Sequence, residues 1–205
     1  MAGPFAGFPR ESTQFFADLA RHNNREWFQA HKETYERACR GPMQALAAEF
    51  EPLGPTRISR INRDMRFSRD GKPYKTYIAM GLGKNYVSLS AEGLYVGTGI
   101  YKPEPATLQR FRAAVAEDVS GRALARIVTA LKRKGYRVDT HESVASAPRG
   151  FRADHPRIEL LRMKDIHAGR MFPPSALATR TLVAGVTRAM KDIEPLADWL
   201  RRYVS

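Results

Sequence analysis

Between Arg57 and Lys75 a cation stands at every third position: Arg57, Arg60, Arg63, Arg66, Arg69, Lys72 and Lys75. Cationic side chains at this density suit phosphates and carboxylates, and a guanidinium can grip either through two parallel hydrogen bonds. A period of three does not make a stripe, however. On a strand it alternates faces. On an α-helix, successive steps of three drift by about 60°. The 3₁₀ and polyproline II helices that would align it do not stay regular over this length. Strand alternation sorts the residues better. Ser59, Ile61, Arg63, Met65 and Phe67 share one mostly core-like face, and Arg60, Asn62, Asp64 and Arg66 share a wholly polar one. If flanking helices cover both faces, the polar face lines a cleft in which Asp64 steadies an arginine against an anion. The competing reading is a solvated sheet face or a structural ion-pair ladder.

The segment Ser68 to Thr76 adds Arg69, Lys72, Tyr74 and Lys75 around Asp70-Gly71, the composition of a cationic turn able to close on an anion. It is not a P-loop, because the GxxxxGK[ST] spacing is absent. Gly97-Thr98-Gly99 is too short for a dinucleotide fingerprint and reads as a place where a strand comes close to another backbone. The candidate ligand-binding residues are therefore Arg60, Asn62, Arg63, Arg66, Arg69, Lys72, Tyr74 and Lys75, with Trp27 stacking on or closing the pocket. No nucleophile stands beside a base, so no catalytic residue is assigned. Asp64 and Glu104 are the candidates for a base, and Glu104 also complements a helix dipole. His141, Asp154, His155 and His167 are metal-ligand types, but no His-x-x-x-His or HExxH spacing joins them, and neither a metal nor a cofactor is expected. Cys39 has no local partner to activate it.

The elements that must position these residues are legible as periodicities. Phe15, Phe16 and Leu19 predict a first helix capped by Ser12 or Thr13. Asn24 predicts the cap of a second, carrying Trp27, Phe28, His31 and Tyr35 and ending at Gly41-Pro42. A third runs from Met43 to Phe50. Strands are predicted through Ile58, Ile61, Met65 and Phe67, then Tyr77–Leu82, Tyr86–Ser90 and Leu94–Tyr101. Asp70-Gly71-Lys72-Pro73 forms a turn, and Ala91-Glu92-Gly93 forms a hairpin loop with glycine where a positive φ is required. Leu108, Phe111 and Val115, then Leu124 to Leu131, predict helix up to the stop Lys132-Arg133-Lys134-Gly135. A short strand over 136–139, a loop over 140–157, a short helix near 157–163 and a strand near 165–171 follow. A last helix runs from about Ser175 to Tyr203, kinked or split at Pro195. Helices, a meander and helices again predict one α+β domain over 1–205, its core from about 5 to 203, with an antiparallel sheet mid-chain between N- and C-terminal helices.

Composition bounds the function. The chain has 205 residues, 34 lysines and arginines against 21 acidic residues, and a net charge of +13. With 43% hydrophobic residues it has the content of a globular protein. No apolar run is long enough to span a bilayer, and the N-terminus lacks the pattern of a signal peptide. A single cysteine excludes an internal disulfide and a cysteine-based zinc cluster. A cytoplasmic location is the expectation. The arginine- and alanine-rich composition also matches proteins from GC-rich genomes, so basic charge alone does not assign a nucleic-acid partner.

Several blocks resemble a family of bacterial and fungal proteins known as domain of unknown function 2461. They are Phe5-x-Gly7-Phe8-Pro9 with Asn24-Arg25-Glu26-Trp27-Phe28; Arg60-Ile61-Asn62-Arg63-Asp64-Met65-Arg66-Phe67-Ser68 with Pro73-Tyr74-Lys75-Thr76; Gly97-x-Gly99-Ile100-Tyr101-x-Pro103-Glu104-Pro105; and Pro148-x-Gly150-Phe151 with Asp154-His155-Pro156. The family pattern has an acidic residue followed by lysine before Pro-Tyr-Lys-Thr, whereas here Gly71 separates Asp70 from Lys72. The resemblance implies a single family domain and no particular activity. Its blocks coincide with the polar face and the cationic turn.

Three functions are consistent with these residues. The first is a site for a phosphate- or carboxylate-bearing small molecule, bound or processed. The second is nucleic-acid binding, motivated by the net charge and by Tyr74, Tyr77 and Tyr86 near the cations. No helix-turn-helix, zinc finger or RNP-type motif accompanies it. The third is a protein-interaction or structural domain. No membrane partner is expected, and oligomeric state is not encoded in any of these patterns.

Overall fold

Phe15, Phe16 and Leu19 put a buried stripe on one helix, and in the computed structural model the chain coils there as α1 (Arg10–Arg21). Residues 3–54, 56–64, 66 and 70–205 are described, so the strand positions expected at Met65 and Phe67 and the binding position expected at Arg69 lie outside them. Helix α1 begins earlier than predicted, with Pro9 at the N-cap position. Ser12 is not a cap. It is fully buried, and its hydroxyl donates to the Ala38 carbonyl at 2.6 Å.

Asn24 caps α2 (Arg25–Ala30) as predicted, its side-chain oxygen accepting from the Trp27 N–H at 2.8 Å. The expected single helix through Tyr35 is instead broken at His31. A short α3 (Lys32–Thr34) leads into a π-helical segment, Tyr35–Arg40, and directly into α4 (Gly41–Glu49). Gly41-Pro42 therefore opens a helix rather than ending one. Helical backbone runs from the π-helical segment through Arg40 and Gly41 into α4, so Pro42 does not end it.

The strands are β1 (Thr56–Ile58), β2 (Tyr77–Leu82), β3 (Asn85–Ser90), β4 (Gly93–Ile100), β5 (Arg137–Asp139) and β6 (Ile166–Phe172), in the sheet order β1-β2-β3-β4-β6-β5. The pairs β1–β2, β2–β3 and β5–β6 are antiparallel, which makes the fold the expected α+β class. The meander holds from β1 to β4. Beyond it β6, not β5, neighbours β4. Ala91-Glu92 turn the chain, and Gly93 takes φ +127° at the first position of β4.

The helices after β4 are α5 (Pro105–Ala116), α6 (Asp118–Arg133), α7 (Ile158–Arg162) and α8 (Thr181–Tyr203). Glu117 separates α5 from α6 and caps the latter through Val119 and Ser120 N–H groups. Helix α8 starts later than predicted, after a 3₁₀ turn at Pro174–Ala176, and continues through Pro195 without a split. None of the described helices is long and apolar enough to cross a membrane.

Two compact units divide the chain. The first comprises Met1–Val96 and Met171–Arg188. There α1 packs on β3 and α4 on β1 and β2, burying Phe16, Leu19, Leu46, Ile78, Met80 and Leu89. The second comprises Gly97–Arg170 and Ala189–Ser205. There α5 packs on α6 and α7, and α6 on β5, around Phe111, Leu124, Leu161 and Trp199.

Candidate functional site

The cationic segment folds back on itself. Past β1, Ser59 N–H still donates to the Ala79 carbonyl at 2.7 Å. The pairing continues with Arg63 N–H to Pro73 C=O (2.8 Å) and Lys75 N–H to Ile61 C=O (2.9 Å), bracketing an antiparallel bridge between Asn62 and Tyr74. Ile61 is buried between exposed Arg60 and Asn62, so the predicted alternation holds at these positions. Asn62 and Tyr74 are a non-hydrogen-bonded pair. The N–H and C=O of Tyr74 consequently point away from the Asn62 strand. The Asn23 amide meets them there, Nδ2 donating to Tyr74 C=O at 2.9 Å and Oδ1 accepting from Tyr74 N–H at 3.0 Å. Phe28 of α2 stacks on the Tyr74 ring at 4.1 Å and 18°. The corner between α1 and α2 thus clamps one arm of the cationic hairpin.

Two ion pairs order the other side. Arg63 Nη1 donates to both Asp70 oxygens, at 2.8 and 2.9 Å. Asp64 takes a fork from Arg66, Nε at 3.0 Å and Nη2 at 2.7 Å, and also accepts from the Arg66 N–H at 3.2 Å. These hydrogen bonds hold the Asp64 carboxyl below its usual range. Asp70 Oδ1 accepts from Lys72 N–H at 3.3 Å across Gly71, which sits in the left-handed region at φ +66°.

A cleft of about 550 Å³ lies between these features, lined by Asn23, Arg63, Asp64, Asp70, Lys72, Tyr74, Lys75, Thr76 and Tyr77. Of the residues singled out in the sequence, Arg63, Asp64, Lys72, Tyr74 and Lys75 converge on it. Arg60, Asn62 and Arg66 are exposed and do not line it. The reason is local. Regular β1 ends at Ile58 and the pairing beyond it narrows to a bridge at Asn62, after which Arg63 of one predicted face and Asp64 of the other both line the cleft, so strand alternation does not sort the cleft residues. Trp27 is half-buried and stacks on His31 at 4.0 Å instead. Glu104 is exposed at the N-cap position of α5 and makes no side-chain capping bond. Thr76 closes the cationic turn and the Pro73-Tyr74-Lys75-Thr76 block in the sequence but is not among the candidate binding residues. Asn23 stands next to Asn24, the cap of α2, and is not among the candidate binding residues either.

The electrostatics are uneven. Arg63 faces Asp70, and Asp64 faces Arg66. Lys75 is different: Nζ donates to the Arg60 carbonyl at 3.0 Å, and among the described residues it has no carboxylate partner. Burial and the neighbouring Arg60 charge push its ammonium below the usual lysine range. Lys72 offers a second ammonium on the same cleft. Asp64, held ionised by Arg66, suits a fixed negative charge better than a base poised near neutral pH.

In the second unit the structure gathers two of the metal-ligand types, His141 and His167, together with Asp165, which sequence spacing did not single out. Asp154 and His155 are elsewhere: Asp154 pairs with Arg152 at 2.7 Å, and His155 Nδ1 accepts from Arg157 N–H at 3.1 Å. Cys39 is fully buried.

These features define an antiparallel α+β protein with a cationic, hairpin-built cleft. The chain belongs to the family of conserved hypothetical proteins DUF2461, whose family model matches residues 11–199. No match is found among curated proteins.

Proposed function

We propose that the cleft binds a small ligand bearing a phosphate or carboxylate group. The observation that carries this reading is Lys75: a half-buried lysine, repelled by Arg60, whose ammonium donates to a carbonyl and pairs with no carboxylate among the described residues. An anion beside it would supply the missing countercharge. Lys72 stands on the same cleft, Tyr77 offers an aromatic wall, and Asn23 and Thr76 supply neutral polar groups. The Arg63–Asp70 and Asp64–Arg66 pairs serve as the frame in this reading, because their charges are already matched. Among the described residues of the cleft no nucleophile is hydrogen-bonded to a base, so the proposal is binding rather than a named reaction.

The test is thermal unfolding of the protein with inorganic phosphate, pyrophosphate, citrate and short oligonucleotides, each at low and high salt. A ligand that binds only the folded chain raises the midpoint by mass action. The expected result is a shift with a small anion that survives salt and disappears in Lys75→Met. A shift that persists in Lys75→Met overturns the assignment. A shift seen only with oligonucleotides and abolished by salt replaces it with nucleic-acid binding.

A further inference from the structure

We infer that His141, Asp165 and His167 form a binding site for a first-row divalent transition cation of the Zn²⁺ or Co²⁺ type. The site stands in the second unit, on residues independent of the anion cleft.

Its geometry follows from β5–β6 pairing. The register sets Asp139 opposite His167. The chain past β5 stays beside the chain before β6, through Lys164 N–H to Glu142 C=O (2.9 Å), Val144 N–H to Arg162 C=O (2.9 Å) and a bridge between Ser143 and Met163. That extended pairing brings His141 next to Asp165. Gly99 of β4 lets the strand carrying His167 approach closely, since a Cβ there would collide with the Ile166 carbonyl and the His167 backbone. One donor atom from each of the three residues lies within 4.8 Å of the others. The imidazole rings of His141 and His167 are 4.4 Å apart, centre to centre.

Three features make this a site rather than a chance encounter. First, Asp165 is a carboxylate exposed to only 2% of its surface. Its Oδ1 accepts the His141 N–H at 2.8 Å, lies 3.0 Å from the Thr140 hydroxyl and 3.2 Å from His141 Nδ1. The carboxylate is thereby oriented by surrounding groups, as ligating carboxylates are. Second, the Nδ1 of His167 is buried and has no hydrogen-bond partner among the described residues. An imidazole nitrogen buried without a partner is destabilising, and a cation satisfies it. Third, the three residues offer two nitrogens and one oxygen, a borderline-soft donor set that favours transition ions over Mg²⁺ or Ca²⁺. His141 is half-exposed, which leaves coordination positions open to solvent. Tyr101 packs edge-on against His141 at 4.8 Å and is itself exposed, so it borders that open side.

The experiment is titration of the tag-free full-length chain with Co²⁺, read by visible absorption, followed by competition with Zn²⁺. One saturable Co²⁺ per chain is expected, displaced by Zn²⁺. His141→Ala and His167→Gln should each weaken binding by at least about tenfold, since even outer-shell changes at metal sites cost that much. Nitrogen NMR of the wild-type imidazoles gives a second readout that needs no variant. Zn²⁺ should shift His141 and His167 and leave His22, His31 and His155 in place. Absence of saturable binding overturns the site. So does unchanged affinity in both variants, or a Zn²⁺ shift confined to other histidines.

Discussion

Asn23 and Tyr74 hold each other in both directions, the amide of one closing on the N–H and C=O of the other at 2.9 and 3.0 Å. The side chain acts as a one-residue strand. It completes the hydrogen bonding of a backbone whose outward groups the Asn62 partner cannot reach. Tyr74 is only 4% exposed, so water is a poor substitute. The cationic cleft therefore depends on a helix-corner asparagine that carries no charge.

Asn23→Ala should leave two polar groups of Tyr74 unpaired and cost about 2 kcal/mol or more. For a chain of this size that corresponds to a midpoint lower by roughly 4–8 °C. Asn23→Asp keeps the acceptor and loses the donor, so its midpoint should fall between wild type and Asn23→Ala. Thermal unfolding followed by circular dichroism decides. Equal midpoints for wild type and Asn23→Ala would show that the clamp is dispensable.

Gly93 combines two constraints. Its φ is +127°, and a Cβ there would overlap the Phe172 carbonyl oxygen. Gly93→Ala should destabilise by about 3 kcal/mol or more, from backbone strain and forced separation together. Gly83 is also left-handed, at φ +57°, but no atom of the described residues lies within 4 Å of a Cβ there. Gly83→Ala should therefore lose much less. Urea denaturation of the two variants separates close approach from φ alone.

Glu117 gives an acid-side dependence. Its carboxylate accepts from the Ser120 hydroxyl and N–H, each at 2.6 Å, and from Val119 N–H at 2.9 Å. The Ser120 contacts are the largest cause of a pKa pulled down from 4.5 to about 2. The folded value is depressed, so the contribution is present above pH 4.5 and is lost as pH falls toward 2. Glu117→Gln should be less stable than wild type at neutral pH, and the gap should close on acidification. Denaturation curves across that range test it. A pH-independent gap would mean that the charge is not what caps α6.

Cys39 is buried, and burial pushes its thiol well above the ordinary range, with Glu11 adding to the effect. Its Sγ also lies 3.7 Å from the Ser12 carbonyl, which it reaches as a donor. A thiol kept protonated and covered should react with a disulfide reagent only when the chain opens. The expected trace is no release of chromophore from the native protein and full release in denaturant. Rapid reaction under native conditions would place an opening at the contact between α1 and the π-helical segment.

Much of the fold was written in short-range patterns. Phe15, Phe16 and Leu19 marked α1, Asn24 marked the start of α2, and Lys132-Arg133-Lys134-Gly135 marked the end of α6. Gly93 marked the β3–β4 turn. Each depends on backbone preferences and periodicities that act within a few residues, so sequence alone determines them. Patterns failed where a local preference had two outcomes. Gly41-Pro42 can end a helix or begin one, and the π-helical turn before it favoured the beginning. Pro195 can split a helix, yet α8 runs through it.

The sites were decided at longer range. Arg63, Lys72 and Lys75 drew attention through charge, but which of the cations face a common cleft depends on where the ladder after β1 stops. Asn23 reaches Tyr74 across 51 positions, and Asp165 reaches His141 across 24. No periodicity spans such separations. Those contacts are fixed by strand register and by the packing of α2 on the hairpin, where a shift of one residue would turn the same side chains to the opposite face. The residue types available for chemistry belong to the sequence, and their company belongs to the tertiary structure.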